Sequence, residues 1–103
     1  MGATDPIVVV VAHWHTTDSA LDTVLAQIAA LRPQSLAEPG CLDYQAFQSV
    51  LDPTPLVLVE RYRDTAALDE HLASPHYQEL VVGRVRPLLT DRQVELLAPR
   101  QTS

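Results

Sequence analysis

The sequence predicts an α+β fold: a split β-α-β antiparallel sheet with its helices on one face and a second copy of the chain against the other. Three observations predict it. Strand-like and helix-like apolar patterns follow one another in the order strand, helix, strand, strand, helix pair, strand. The first and third strands are apolar on both parities, so both of their faces need cover. The chain has only 103 residues, and a body of that size buries little more than half of the surface its unfolded chain exposes. Helices on one side leave a sheet face that a second subunit would cover, which makes a homodimer through the sheet face the expected partner state.

Each element has its own signal. "IVVVVAHWH" (7 to 15) is short and β-branched and reads as a strand. From Thr17 to about Leu36 the apolar residues Leu21, Val24, Leu25, Ile28 and Leu31 recur at three and four, the stripe of an amphipathic helix capped by Thr17 or Asp18. Pro33 lacks a backbone donor and is expected to kink or end that helix near Arg32, leaving "QSLA" as a loosened last turn. "EPG" (38 to 40) marks a turn. "CLDYQAFQS" (41 to 49) and "PLVLVERYR" (55 to 63) form an antiparallel pair with "VLDPTP" as the hairpin loop. Asp64 caps a short helix over "TAALDEHLA", and Ser74-Pro75 starts a second one through "HYQELVVGRVRPLL", with Leu80, Val81, Val85 and Leu88 or Leu89 as its apolar side and Pro87 loosening its end. "RQVELLA" (92 to 98) closes the chain as a strand. This is a ferredoxin-like order, in one domain over residues 1–103 with an ordered core at about 6–98, and the pocket is expected between sheet and helices.

Charge and composition exclude several classes of function. Thirteen acidic residues against seven basic give a net charge of -6, with the basic residues scattered, so nucleic acid is not an expected partner. The longest apolar run, Ile7 to Ala12, is far short of the ~20 residues of a membrane span. "MGATDP" opens like a myristoylation signal, but Pro6 stands where Ser or Thr is required. Cys41 is the only cysteine, which excludes an intrachain disulfide and a cysteine metal cage and suits a reducing cytoplasm; as a lone thiol it reads as a small buried hydrophobe.

The candidate chemistry rests on Glu60 and the histidines. In the third strand Leu56, Leu58, Glu60 and Tyr62 share one face, which makes Glu60 an acid among apolar neighbours. Facing the helices it would be buried beside the pocket and need a partner, His71 or His76; the competing reading is a structural hydrogen bond at a strand end. His71 and His76 are five apart across a helix break, a spacing that does not suit two zinc ligands on one helix. His13 and His15 share a strand face but no third ligand follows at short range, so no metal is expected. Trp14 reads as packing at a sheet or dimer edge. Either His71 or His76 could act as a general base near neutral pH. His71 borders the apolar side of its helix and is expected to orient or balance Glu60. His76, just past the Ser74-Pro75 start, is expected at the cavity mouth as the base itself.

The segments "EPGCLDYQAF", "DPTPLVLVERYRDTAAL" and "HLASPHY", in that order and spacing, resemble the antibiotic biosynthesis monooxygenase family, and the resemblance runs from "IVVVVA" to "VELLAP". It implies a dimeric α+β barrel and, for some members, oxidation of a quinol, anthrone or related phenolic by dioxygen without a cofactor. It implies that Glu60, His71, His76 and Tyr77 line or support the cavity, with Leu58, Tyr62 and Leu72 as further substrate contacts. Tyr62 stands where the family commonly has Trp, and Val81 stands where haem-degrading relatives carry an axial histidine, so haem is disfavoured. The family also includes isomerases, so an isomerase or a non-catalytic small-molecule binder is the alternative function.

Overall fold

A computed structural model describes residues 6–100. Its elements are β1 (Val8–Thr16), α1 (Asp18–Leu36), β2 (Cys41–Gln48), β3 (Leu56–Tyr62), α2 (Thr65–Ala73), a π-helix (Tyr77–Val85), a 3-10 turn (Arg86–Leu88) and β4 (Leu89–Leu97). The strands form one antiparallel sheet in the order β2-β3-β1-β4. β1 and β3 are therefore its two central strands, and their second apolar parity, with Val11, Val57 and Val59, lies on the face that no helix covers. Helices cover one face, and the fold is ferredoxin-like.

Local chemistry sets the element ends. The Thr17 hydroxyl accepts from the Ala20 N–H at 3.2 Å and caps α1; Asp64 caps α2 through the Ala67 N–H at 2.8 Å. The expected break at Pro33 does not occur. α1 runs on to Leu36 with Pro33 inside it, and the Ala37 N–H returns to the Pro33 carbonyl. A proline costs its helix one donor, and packing of the buried Val24, Ile28, Leu31 and Ser35 outweighs that loss. The second helix also departs from expectation. From Tyr77 onward it is a π-helix rather than an α-helix, with Tyr77, Leu80, Val81 and Val85 on its buried side. β4 begins at Leu89, three residues before the expected Arg92, because its pairing with β1 extends to Thr16↔Leu89 past an irregularity at His15/Thr16.

β2 carries a bulge between Cys41 and Asp43. The extra residue lets Cys41 and Tyr44, three apart, both face the helices, while Leu42 is thrown outward. Tyr44 is thereby set opposite Glu60 of β3. The core lies between sheet and helices, where Val10, Ala12, Trp14, Leu56, Leu58 and Tyr62 meet Val24, Ile28 and Leu31 of α1, Leu68 of α2, and Leu80, Val81 and Val85 of the π-helix. Among the described residues no helix is long and apolar enough to cross a membrane.

Candidate active site

A cavity of about 300 Å³ lies between the β1-β4 half of the sheet and α2 with the π-helix. Its walls are mainly apolar: Val10, Ala12, Trp14, Leu68, Val81 and Val94 contribute, with Leu72 and Leu96. Val94 and Leu96 are 40% and 60% exposed, so the cavity opens along β4, which no helix covers. Besides Trp14, five residues with polar side-chain atoms reach its wall: Tyr44, Glu60, His71, Tyr77 and Arg92. A mostly dry chamber with a few convergent polar groups is the usual form of a small-molecule site.

Strand alternation brings Glu60 here. It lies on the helix-facing parity of β3 between Leu58 and Tyr62 and is 6% exposed. The Tyr62 hydroxyl donates to Glu60 Oε1 at 2.6 Å. Burial pushes the Glu60 carboxyl up from the usual carboxylate range to about 7, the Tyr62 bond only partly offsetting it. The same burial, with Glu60 beside it, pushes the Tyr62 phenol far above its ordinary value, so Tyr62 stays a donor.

His71 is fully buried in the last turn of α2. Its Nε2 lies 3.7 Å from Glu60 Oε1, and its Nδ1 lies 2.9 Å from Glu38 Oε2. Burial lowers its pKa and so favours a neutral ring, with the Glu38 bond opposing that shift. The rings of Tyr62 and Tyr77 flank the imidazole with centroids 5.2 Å away on each. His76 contacts the same carboxylate oxygen, Nε2 to Glu38 Oε2 at 2.5 Å. The result is a chain of groups, His76 to Glu38 to His71 to Glu60, running from the surface to the cavity, with Tyr62 bonded to Glu60 from the core behind.

The expected site residues thus divide. Glu60, His71, Tyr77 and Leu72 lie on the cavity wall. Leu58 and Tyr62 are fully buried in the core behind it. His76 is not at the cavity mouth: the turn at Ser74-Pro75 directs its ring onto Glu38, away from the chamber. Trp14 is not at an edge either, since β1 is central and Trp14 is 3% exposed on the cavity wall, with its Nε1 buried and unpartnered. Burial pushes the Cys41 thiol up to about 11, which leaves it inert. Sequence reasoning missed Glu38 and Arg92. The Glu38 signal was present in the "EPG" turn, but 33 residues separate it from His71 and no local spacing links them. Arg92 reaches the wall only because β4 pairs it with Trp14, and its guanidinium approaches the Tyr77 hydroxyl at 3.5 Å, with that of Arg86 at 3.2 Å.

A ferredoxin-like sheet with helices on one face and a chamber holding a buried acid beside an imidazole defines the class: a small α+β protein organised around an apolar cavity. Within that class the chain belongs to the antibiotic biosynthesis monooxygenase family, whose model matches residues 7–82. It is similar to Rv0793 of Mycobacterium tuberculosis, 41% identical over 70 residues that cover 68% of each chain; the structure of that protein superposes with a TM-score of 0.86 over 94% of this chain and 98% of the other. The structure of PA3566 from Pseudomonas aeruginosa gives a TM-score of 0.86 at 26% identity, covering 97% of this chain and all of that one. A protein of Escherichia coli K12, named probable quinol monooxygenase YgiN, is 36% identical over 74 residues, 60% of this chain and 70% of its own.

Proposed function

We propose that the protein is a cofactor-independent monooxygenase that oxidises a quinol, anthrone or related phenolic small molecule with dioxygen. The observation that carries the reading is Glu60, a carboxyl group on the wall of an apolar cavity whose burial holds it near pH 7. A base of that strength is matched to an acidic phenol or enol at neutral pH. The family membership and the similarity to YgiN, named as a probable quinol monooxygenase, support the substrate class.

In this mechanism the bound hydroxyl gives its proton to Glu60, and the electron-rich anion then reacts with dioxygen in a chamber that excludes most water. For an anthrone the methylene carbon becomes a carbonyl, one oxygen atom enters the product, and the other leaves as water with the two hydrogens. Arg92 offsets the negative charge on the anion. The Trp14 indole N–H is buried without a partner in a residue that lines the chamber, and a small shift of the ring would let it donate to a substrate oxygen. The proton on Glu60 passes to His71 Nε2 once the 3.7 Å gap closes, and through Glu38 to His76 at the surface. His76 therefore serves as the outer end of the path rather than as the base that meets substrate.

A homodimer in a cytoplasmic setting completes the proposal. The helix-free face of the sheet carries Val11, Val57 and Val59 with the exposed Phe47, and the hairpin tip exposes Val50 and Leu51. A second copy's sheet would bury this surface; the single cysteine fits a reducing compartment. The reaction is tested by oxygen uptake when a panel of reduced quinones and anthrones is added to flavin-free, chelator-treated protein. Uptake above the spontaneous rate, lost in Glu60→Gln, is expected. No uptake across the panel would favour an isomerase or a binding protein.

A further inference from the structure

Three residues that no local spacing connects meet at one point. Glu38 comes from the turn after α1, His71 from the last turn of α2 and His76 from the start of the next helix. One donor atom from each lies within 4.8 Å of the others. Both imidazoles converge on a single oxygen, Glu38 Oε2, through His71 Nδ1 and His76 Nε2. The other carboxylate oxygen, Glu38 Oε1, is buried with no hydrogen-bond partner. A hydrogen-bonded cluster accounts for the first two contacts but leaves Oε1 unexplained, because an unpaired buried carboxylate oxygen is costly.

A metal ion bound by both oxygens of the Glu38 carboxylate would account for all of it. Two imidazoles and a carboxylate are a common donor set for zinc or ferrous iron at a site that keeps an open position. A ligating histidine normally hands its second ring N–H to a carboxylate, and His71 already has one there: its Nε2 faces Glu60 Oε1 at 3.7 Å. We propose that Glu38, His71 and His76 form a binding site for a divalent transition-metal ion, held by His71 Nδ1, His76 Nε2 and the Glu38 carboxylate. Donors bound to zinc tetrahedrally sit roughly 3.3 Å apart given ~2.0 Å bonds, so the two imidazole nitrogens, 2.9 and 2.5 Å from Glu38 Oε2, must each draw back from that oxygen by less than about 1 Å. Glu38 and His76 each keep a sixth or so of their side-chain surface in solvent (16% and 15%), which gives the ion an entry route and His76 room to move. Neither residue lines the cavity, so the ion sits beside the chamber, separated from it by the His71 ring. The His13–Glu95 pair on the opposite sheet face has no such third ligand among the described residues. The proton path and the metal-loaded state use the same atoms and exclude one another.

The test needs no substrate, so it stands apart from the oxidation reading. Chelator-treated full-length protein is titrated with zinc by calorimetry and with cobalt by visible absorption. One ion per chain is expected, with tetrahedral-type cobalt bands. His76→Ala and Glu38→Gln, checked for native circular dichroism, should each weaken zinc binding by about 100-fold or more, while His15→Ala on β1 leaves it unchanged. Because His71 is buried, it is followed in the unmutated protein: its ring NMR signals and those of His76 shift with zinc, and those of His13 and His15 do not. Absence of saturable zinc binding would overturn the proposal. So would stoichiometric binding that survives both variants, or shifts confined to His13 and His15.

Discussion

Glu60 is an acid that the fold holds in its protonated form to a higher pH than the unfolded chain would, and two measurements follow from that one displacement. As the base, it works only when ionised, so kcat/KM should rise with pH and level off above about 7. Glu60→Gln should remove that limb and lower kcat/KM on a phenolic substrate by roughly 10²- to 10⁴-fold, the scale of a lost general base. For stability the sign is opposite. Between the ordinary value of 4.5 and about 7 the folded protein holds a proton that the unfolded chain has released, so the Glu60 contribution is present below 4.5 and lost as pH rises through 7. The stability of the unmutated protein relative to Glu60→Gln should therefore fall across that window by on the order of 3 kcal/mol, read from urea melts at each pH. His71, whose pKa is lowered, slopes the other way but is present in both proteins. Trp14→Phe keeps most of the ring and removes the unpartnered N–H; it should raise KM about tenfold for an oxygen-bearing substrate, the size of one net hydrogen bond, with kcat less affected.

The elements that carry the site are held in register by close contacts. Gly40, at the end of the "EPG" turn, lies against α2: a methyl group added there would stand 2.3 Å from the Ala67 Cβ. Gly40→Ala must push α2 outward, so it should lower stability by about 1–3 kcal/mol and, by moving His71 away from Glu38, weaken zinc binding as well. Thermal melts and the zinc titration read the two effects separately. The π-helix acts at the same scale. Its wide turn sets Tyr77 and Val81 on the cavity wall while Tyr77 reaches Arg86 and Arg92 across its own length. Residue spacing suited to an α-helix still identified its buried side, because Leu80, Val81 and Val85 face the core in either geometry.

For the whole molecule the unbalanced feature is the sheet, helix-covered on one face and bare on the other. Val59 lies at the middle of the bare face, paired across β3 with Val11 of β1 and Gln45 of β2. A dimer mass by light scattering at micromolar concentration is expected, and Val59→Lys should shift it to monomer, since an unpaired charge in a buried apolar interface is strongly disfavoured. A monomer mass for the unmutated protein would remove the dimer from the proposed function.

What the sequence determined by itself is what depends on neighbours along the chain. Period-two and period-three-to-four apolar patterns placed all four strands and the start of α1 to within a few residues, and strand parity grouped Glu60 with Leu56, Leu58 and Tyr62 on one face of β3. Tertiary structure decided what depends on packing between distant segments. Pro33 stays helical because the helix packs through buried side chains on both sides of it, Leu31 and Ser35, the turn at Ser74-Pro75 aims His76 at a carboxylate 38 residues away, the bulge in β2 lets Cys41 and Tyr44 face the same way, and β4 carries Arg92 beside Trp14. A period reports which face of an element is apolar; it contains nothing about which other element will supply the opposing charge, and that partner is fixed only when the sheet order and the helix placement bring the two together.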